Sequence, residues 1–384
     1  MEREKIKSII EAKKDSVIEL WEKLVNIDSG TYDIEGVNKV ASVFEEKLKS
    51  LGCETKIYKF ENAGNTLIAT LNPDAKDEPI LFIGHMDTVF SSQDSKERPF
   101  KIEEGKAYGP GVLDMKAGDV IAVFTLEVLK EIGYNKRPIK IIFSGDEELA
   151  HINSTGDEVI YKEAIGAKAA LNFETGRVDE GIVVGRMGTR GYDVNIEGVS
   201  AHSGNNPDLG RSAILEAAKK IVELEGLNDI PRGKLVNCGL VNGGVSNNTI
   251  PGNCTIGILT RYVSQEIGDE INREVEEILN QTFVEGTKTT FVATKGIPSM
   301  ERTPGVIELY DLVENVAVEL GFPKPHPVEV GGGSDSAFTV SAGIPTVCAM
   351  GAKGEFNHTD REYAVVDSMF ERIELAANTV LAID

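Results

Sequence analysis

The feature that most constrains this chain is the alternation of short apolar runs with helical patterns along its first half. Residues 80–83, 139–143 and 167–173 have the length and apolar character of buried strands. Residues 120–129 are also apolar, but this run is too long for a typical strand and predicts a buried helix. Strands that alternate with helices are typical of an α/β layer on a mostly parallel sheet. We therefore predict that fold class for most of the chain.

The pattern changes near Met187. Residues 191–198 alternate strictly between apolar and polar side chains, as a strand does when one face of an antiparallel sheet is wet. The predicted order over residues 187–301 is strand, helix, two strands, helix and strand, which is the order of a ferredoxin-like sandwich. We therefore predict one α/β domain from residues 1–186 and 302–384, and an inserted second domain from residues 187–301.

Charge and cysteine content exclude several classes of partner and site. Lys and Arg number 40 against 62 Asp and Glu, a net charge of −22, so neither nucleic acid nor an anionic membrane is an expected partner. No run approaches the roughly 18 apolar residues of a membrane span, and the charged N-terminus has no signal-peptide core. The 4 cysteines form no CxxC pair, which fits a cytoplasmic protein and argues against a zinc site built on cysteines.

Histidines follow predicted strands in two motifs. His85 lies in GHMDTV, with Asp87 two residues later, and His358 lies in FNHTD. A histidine at a strand end can bind a metal through one ring nitrogen while a carboxylate orients the ring. The simpler interpretation is a histidine that bonds only to the backbone.

Acidic residues lie in three further motifs. Asp114 lies in YGPGVLDMKAG, Glu147 and Glu148 end SGDEE, and Glu174 lies in NFET. Asp114 could instead cap the following helix, and exposed acids are common at strand ends. Adjacent glutamates nevertheless repel one another unless a cation or a proton relieves them. Two imidazoles and three of these carboxylates suit two zinc ions that share one bridging carboxylate, with Glu147 left over as a base.

In this order, the five motifs resemble those of the dinuclear zinc M20 metallopeptidases, and the resemblance covers essentially the whole chain. That family includes bacterial glutamate carboxypeptidases, aminoacylases, and acetylornithine and succinyl-diaminopimelate deacylases. YGPGVLDMKAG and the later GGGSDSAF are most similar to the glutamate carboxypeptidase branch. The resemblance implies a zinc-peptidase-like catalytic domain with a mostly parallel sheet, and an inserted ferredoxin-like domain that serves as lid and dimerisation surface.

The resemblance assigns the metal ligands. It implies two Zn²⁺ ions per subunit, although Co²⁺ or Mn²⁺ suits the same nitrogen and oxygen ligands. By this resemblance the first ion is bound by His85 and Glu174, the second by Glu148 and His358, and both by Asp114.

The resemblance also assigns two residues around the ions. Asp87 orients His85, and Glu147 is the general base that takes a proton from the attacking water and passes it to the leaving amine.

Further positions match the substrate site of the family, and the resemblance implies the following roles for them. His202, in SAHSG, stabilises the oxyanion in the active site of a partner subunit, which implies a homodimer through the inserted domain. Asn248 makes a polar substrate contact, and the guanidinium of Arg302 clamps the substrate carboxylate. Gly332 and Gly333 offer backbone N–H groups to the same carboxylate. A satisfied loop histidine and a flexible turn are the simpler interpretations of His202 and the glycines.

Departures from the family pattern leave the substrate open. Gly181 stands where the folate-cleaving branch carries a lysine that recognises the side chain, and residues 259–261 replace a more usual acid–apolar–arginine strand end. His151 and His326 match no functional position and are expected to be structural or on the surface.

The predicted activity is hydrolysis of an amide bond in a small peptide or N-acyl amino acid with a free carboxylate, as a carboxypeptidase does. Deacylase and dipeptidase activities are alternatives within the same chemistry. A different class of protein, a catalytically inactive relative that only binds ligands, is expected to have lost a metal ligand or Glu147. Neither is missing from this chain.

Overall fold

A computed structural model describes residues 2–383 of the chain. The helices, in chain order, are α1 (Glu2–Val25), α2 (Ile34–Ser50), α3 (Asp94–Glu97), α4 (Lys116–Ile132), α5 (Gly156–Ala164), α6 (Ala213–Glu225), α7 (Gln265–Asn280), α8 (Pro304–Leu320), α9 (Ser336–Ser341) and α10 (Val366–Ala382). Two single 3-10 turns lie at Pro207–Leu209 and Ile230–Arg232. In the part of the chain described, no helix has the length and apolar character that a membrane span requires.

The strands are short except in one part of the chain. They are β1 (Glu54–Tyr58), β2 (Thr66–Leu71), β3 (Ile80–His85), β4 (Lys101–Glu103), β5 (Lys106–Tyr108), β6 (Ile139–Ser144), β7 (Ala169–Asn172), β8 (Gly176–Arg177), β9 (Gly181–Arg186), β10 (Gly188–Glu197), β11 (Ala201–His202), β12 (Lys234–Gly243), β13 (Thr249–Ile250), β14 (Asn253–Tyr262), β15 (Lys288–Ala293), β16 (His326–Val330), β17 (Thr346–Val347), β18 (Lys353–Glu355) and β19 (Tyr363–Val365). Three of them, β10, β12 and β14, each reach 10 residues.

The chain divides into two compact units. The first comprises residues 2–184, 302–330 and 334–383, and the second comprises residues 185–301 and 331–333. The change of unit therefore falls inside β9, and the glycine loop that follows β16 belongs to the second unit.

A six-stranded sheet organises the first unit, in the order β1-β2-β6-β3-β7-β17. β6, β3, β7 and β17 run parallel, whereas β2 pairs antiparallel with β6 and β1 antiparallel with β2. Every residue of β3 is buried, as expected for a strand covered on both faces. α4 packs against α1 and α10, and its residues 116–129 are all buried. The predicted mostly parallel sheet and buried helix are confirmed.

The second unit is an antiparallel sheet covered by α6 and α7. The sheet order is β12-β14-β10-β15, which together with the chain order gives the ferredoxin-like topology that the sequence predicts. Tyr192, Val194 and Ile196 of β10 are buried, and the alternate residues between them are exposed. Ile271 and Val275 of α7 lie in the same core, four residues apart on one helix face.

Candidate metal centre

The predicted ligands meet because neighbouring strands of the first unit end at one edge of the sheet. His85 is the last residue of β3, and in the parallel register it lies beside Ser144, the last residue of β6. Glu147 and Glu148 follow β6 in the next turn, and Glu174 follows β7. Ligands of open α/β sheets bind at the carboxyl ends of the strands, which is where these side chains lie.

Asp114 lies between the strand ends and the buried helix. α4 begins at Lys116 after Met115, and no side chain caps it, so the helix-cap interpretation of Asp114 is wrong. The first turn of α4 lies so close to the end of β7 that a Cβ at Gly118 would overlap the carbonyl oxygen of Phe173. This close approach explains why small residues occur in the DMKAG motif.

Two groups of potential ligands share Asp114. Its Oδ1 lies 3.3 Å from Nε2 of His85, which is 3.7 Å from Oε1 of Glu174. Its Oδ2 lies 3.2 Å from Nε2 of His358, which is 3.4 Å from Oε2 of Glu148. Within each group, the ligand atoms lie within 4.8 Å of one another. One carboxylate therefore contributes an oxygen to each of two sites, as a bridging ligand does.

The electrostatics of these groups fit divalent cations. The Glu148 side chain is only 7% exposed, and burial, together with the charge of Asp114, raises its pKa to about 8. Among the described residues, Oε1 of Glu148 is buried without a hydrogen-bond partner. Burial lowers the pKa of His85, but the surrounding acids, Glu147 foremost, outweigh burial and raise it well above its usual value. Carboxylates crowded in this way are stabilised by cations, and nitrogen with oxygen ligands suits zinc.

Glu147 lies beside the ligands but belongs to neither group. Its Oε2 is 3.8 Å from Nε2 of His85, and its side chain is 11% exposed. Burial and the charges of neighbouring acids, Glu174 among them, raise its pKa well above the usual glutamate value. A carboxyl group with a raised pKa, next to a metal site and outside its ligand set, has the properties of a proton carrier.

Asp87 holds the acidic turn in place. It is fully buried, and its Oδ1 and Oδ2 accept hydrogen bonds from the backbone N–H groups of Glu147 and Glu148, both at 3.2 Å. Thr31 donates a third bond to Oδ2 at 2.8 Å. Nδ1 of His85 lies 3.0 Å from the carbonyl oxygen of Asp87 and 3.4 Å from Oδ1. Asp87 thus contacts the His85 ring, as the resemblance implies, and it also fixes the two glutamates.

A second buried carboxylate, which sequence reasoning missed, holds the loop before α4. Glu362 accepts backbone hydrogen bonds from Leu113 at 2.7 Å, Asp114 at 2.9 Å and Gly111 at 3.3 Å. Burial and the nearby charge of Asp114 raise its pKa to about 7, although these hydrogen bonds oppose the shift. The sequence around Glu362 contains other acids, and nothing in their spacing distinguishes it.

Asn357 was also missed, although it precedes a predicted ligand. Its side-chain amide donates to Oδ2 of Asp114 at 2.9 Å and to Oγ1 of Thr175 at 2.7 Å. Its place inside the FNHTD motif is the signal that could have identified it.

A buried triad lies behind the acidic turn. The Asp335 carboxylate accepts from Ser144 at 2.7 Å and lies 2.7 Å from Nε2 of His151. All three side chains are buried, so His151 is structural rather than on the surface. Asp335 belongs to the GGGSDSAF stretch, which therefore anchors the end of β6.

His202 and Asn248 are neighbours in the second unit, because β11 pairs with β13. His202 is exposed, and its Nδ1 accepts hydrogen bonds from the backbone of Gly204 at 3.1 Å and Asn205 at 3.2 Å. A neutral ring bonded in this way carries its proton on Nε2, which is then a donor. The side-chain oxygen of Asn248 accepts from Ser246 at 2.8 Å.

The residues predicted to bind the substrate carboxylate belong to different units. Arg302, in the first unit, lies 3.1 Å from Oε1 of Glu329, and about half of its side chain is exposed. The carbonyl groups of Gly332 and Gly333, in the second unit, both accept from Arg186 at 3.1 Å. Arg261 donates to the carbonyl of the preceding glycine at 2.6 Å, so arginine side chains hold the glycine loop.

Comparison with known proteins defines the class. The model of peptidase family M20/M25/M40 matches residues 81–382. The chain belongs to this family, which confirms the resemblance carried by the five motifs, and it is a metal-binding hydrolase.

Relatives within the family cover nearly the whole chain. Carboxypeptidase G2 of Pseudomonas sp. (strain RS-16) is 30% identical over 371 residues, which are 95% of this chain and 89% of that protein. Succinyl-diaminopimelate desuccinylase of Rickettsia africae (strain ESF-5) is 27% identical over 362 residues, 88% of this chain and 92% of that protein.

Solved structures show the same fold. Aminopeptidase PepT from Bacillus cereus ATCC 10987 superposes with a TM-score of 0.81 at 24% identity, covering 96% of this chain and 98% of that one. The metallo-carboxypeptidase Sso-CP2 from Sulfolobus solfataricus gives a TM-score of 0.75 at 16% identity, covering 96% and 99%.

Proposed function

We propose that the chain is a dinuclear metal-dependent hydrolase that cleaves an amide bond in a small peptide or N-acyl amino acid with a free carboxylate. One observation carries this proposal: Asp114 places one oxygen in each of two ligand groups, and Glu147 lies 3.8 Å from His85 of the first group without joining either group. A site used only to store or sense metal has no need of that extra acid.

The residues present fit two zinc ions, with Co²⁺ or Mn²⁺ as alternatives for the same ligands. His85, Asp114 and Glu174 would hold one ion, and Asp114, Glu148 and His358 would hold the other. Such ions make water more acidic and polarise the carbonyl group that is attacked.

Glu147 handles the protons. Its carboxylate takes a proton from the attacking water and delivers it to the leaving amine as the amide bond breaks. Asp87 supports this step, because its hydrogen bond to the backbone of Glu147 fixes the turn from which the base extends.

His202 supplies the oxyanion donor in our proposal, and it acts in the site of a partner subunit of a homodimer. The hydrogen bonds to Nδ1 place the proton of a neutral ring on Nε2, which can then donate to an oxyanion. Mixing Glu147→Gln with His202→Ala tests the arrangement, because a mixed dimer contains one site with both groups intact. Activity should return on mixing, and no recovery despite proven subunit exchange contradicts the cross-subunit role.

In this proposal the substrate carboxylate is bound by Arg302 and by the N–H groups of Gly332 and Gly333, and Asn248 makes a further polar contact with the substrate. Arg302 exchanges its bond to Glu329 for the substrate, since a guanidinium fork can bind both oxygens of a carboxylate.

We favour a carboxypeptidase-like activity because carboxypeptidase G2 is similar over almost the whole chain. Deacylation is the alternative, since a desuccinylase is also similar. Four free thiols fit a cytoplasmic enzyme.

The test is metal-loaded activity against a panel of N-acyl amino acids and dipeptides, combined with metal analysis. We expect about two ions per subunit and release of a free amino acid. The matched control is the same panel with the carboxylate converted to an amide, which should be poorly cleaved. A chain that binds ligands but cleaves no member of the panel is the inactive relative instead.

A further inference from the structure

A short turn, residues 146–151, carries the adjacent glutamates of the centre, and His151 closes it. The His151 N–H donates to the carbonyl of Asp146 at 2.9 Å, which joins the two ends of the turn. Inside it, the Ala150 N–H donates to the carbonyl of Glu147 at 2.7 Å. The side chain of Glu147 therefore extends from a turn whose shape depends on its last residue.

The end of this turn has a backbone conformation that its residues disfavour. Ala150 has a φ of 53° and His151 a φ of 55°, in the left-handed region that glycine adopts readily and other residues rarely. Residues other than glycine persist there only where surrounding contacts hold them. For His151, the side chain makes such contacts.

The imidazole ring of His151 is held on three sides. The residue is fully buried, and its Nε2 lies 2.7 Å from Oδ1 of Asp335. Its ring packs edge-on against Phe338 in α9, with the ring centroids 5.6 Å apart. A Cβ at Gly156, the first residue of α5, would lie only 2.7 Å from its Nδ1. The ring is thus packed closely between α5 and α9.

Asp335 bonds to this turn rather than to its own helix. It directly precedes α9, where an aspartate usually accepts a hydrogen bond from the first helical turn, but its side chain makes no such bond. Its other oxygen, Oδ2, accepts instead from the hydroxyl of Ser144 at 2.7 Å. Because Ser144 is the last residue of β6, Asp335 connects the strand before the turn to the histidine that ends it.

The turn is therefore fixed at its middle and at both ends. Asp87 accepts from two N–H groups in the middle at 3.2 Å, and Asp335 holds the ends. Oε2 of Glu147 lies 3.8 Å from Nε2 of His85, so a small shift of the turn changes the placement of this carboxylate at the metal centre. A displacement of about 1 Å in a reacting group can cost about 10²-fold in rate.

We infer that His151 is a positioning residue for the general base: its bond to Asp335 fixes the turn and thereby the placement of the Glu147 carboxylate. The inference rests on the proposed amide hydrolysis and adds to it a residue that none of the five motifs contains. A histidine that only supported the fold would affect stability and leave the turnover of folded, metal-loaded enzyme unchanged.

The experiment measures kcat, KM and bound metal with the panel substrate that the wild-type enzyme cleaves fastest. His151→Asn suits the left-handed backbone, but its amide is one bond short of the reach of Nε2. His151→Gln has its amide nitrogen as many bonds from Cβ as Nε2 is. His151→Asn should lower kcat by about tenfold or more, with KM within about twofold and two ions retained, and His151→Gln should recover most of the loss.

Two further variants complete the series. His326→Asn changes an exposed histidine of β16 and is the matched control, which should leave kcat intact. Ser144→Ala removes the other hydrogen bond of Asp335 and should lower kcat by about threefold or more, again with KM and metal content retained.

Three outcomes contradict the proposal. Losses of kcat below about threefold in whichever of His151→Asn and Ser144→Ala folds overturn the inference while amide hydrolysis stands. Equal losses in His151→Asn and His151→Gln, or a bound ion lost from His151→Asn, also overturn it, since reach to Asp335 or placement of the base would then not explain the effect. Failure of the metal-loaded wild-type enzyme to cleave any member of the panel overturns the proposed function and the positioning role together.

Discussion

Each unit of the molecule buries a group of charged side chains. The charges of one group are compensated within the protein, and those of the other group are not. In the second unit, Lys220 and Glu216 are both fully buried on α6, with Nζ 3.1 Å from Oε1. Nζ also donates to the carbonyl groups of Ile278 and Leu279, at 3.1 and 3.0 Å, near the end of α7. The other oxygen of Glu216 accepts backbone bonds from Phe283 at 2.9 Å and from the next residue at 2.6 Å.

The metal centre of the first unit has no such balance. Its carboxylates outnumber its imidazoles, and the pKa values of Glu147 and Glu148 are raised by burial and by neighbouring acids. In the second unit, the charges of Lys220 and Glu216 compensate one another within the protein, and the pair stabilises the fold. The acids of the first unit depend on cations from outside the chain, and such a dependence is typical of a site that binds and reacts rather than one that only supports the fold.

The largest effect we expect is from removing the cations. A strong chelator should abolish hydrolysis and lower the unfolding temperature, because the crowded acids lose their counter-charge. Activity assays and calorimetry before and after adding Zn²⁺ measure both effects, and Zn²⁺ should restore them. Full activity in a chelated sample with at most one bound ion contradicts the dinuclear centre.

Substitutions of the adjacent residues Glu147 and Glu148 should affect turnover and metal content differently. Glu147→Gln keeps the shape and removes the base, so turnover should fall by about 10²–10⁴-fold while metal content is retained. Glu148→Gln should instead reduce metal content, since it alters a ligand of the second group. Metal analysis and steady-state kinetics on both variants make the comparison, and the reverse outcome exchanges the two assignments.

The buried pair of the second unit should affect stability and not metal content. Lys220→Met leaves Glu216 buried without its cation, which should cost about 3–5 kcal/mol in the free energy of unfolding. Adding Glu216→Gln should recover part of this loss. Lys219→Met, the exposed neighbour, is the control and should stay within about 0.5 kcal/mol of wild type by urea denaturation. A loss of bound zinc in Lys220→Met contradicts the view that the pair is self-sufficient.

A partly exposed group of ion pairs in the second unit, between Glu270 and the side chains of Arg232 and Lys234, should give the smallest effect. Hydrogen bonds from Arg232 and Lys234 lower the pKa of Glu270 to about 2. A carboxyl with a lowered pKa stabilises the fold above its unfolded pKa, near 4.5, and this contribution disappears as the pH falls towards 2. The stability difference between wild type and Glu270→Gln, measured in urea, should thus be present at pH 7 and shrink by about pH 3. Glu277→Gln, on the same helix, should show no such change, and an equal difference at both pH values contradicts a stabilising role for the ionised Glu270 carboxylate.

The fold and the meeting of the ligand residues could be predicted because both follow from local patterns. Apolar runs indicate parallel strands, and a residue that follows such a strand must lie at one edge of the sheet. His85 and Glu174 each come at the end of an apolar run, so the sequence alone identifies them as strand-end residues.

Contacts between distant segments could not be predicted in this way. Glu362 lies 248 residues after Asp114, and an acid in a charged stretch looks like any surface acid. Lys220 and Glu216 have the i, i+4 spacing of an ordinary exposed helical pair, and only the packing of α6 against α7 buries them.

The position of Asn357, His358 and Glu362 after all the other residues of the centre in the sequence has a consequence for biosynthesis. A ribosome delivers the chain from its N-terminus, so His85, Asp114 and the other acids emerge well before these three residues. Until Glu362 has been translated, the backbone N–H groups of Leu113 and Asp114 lack the carboxylate to which they donate in the folded protein. The centre can be completed only after residues 357–362 have been translated, and until then a nascent chain carries the clustered acids without the second histidine of the centre.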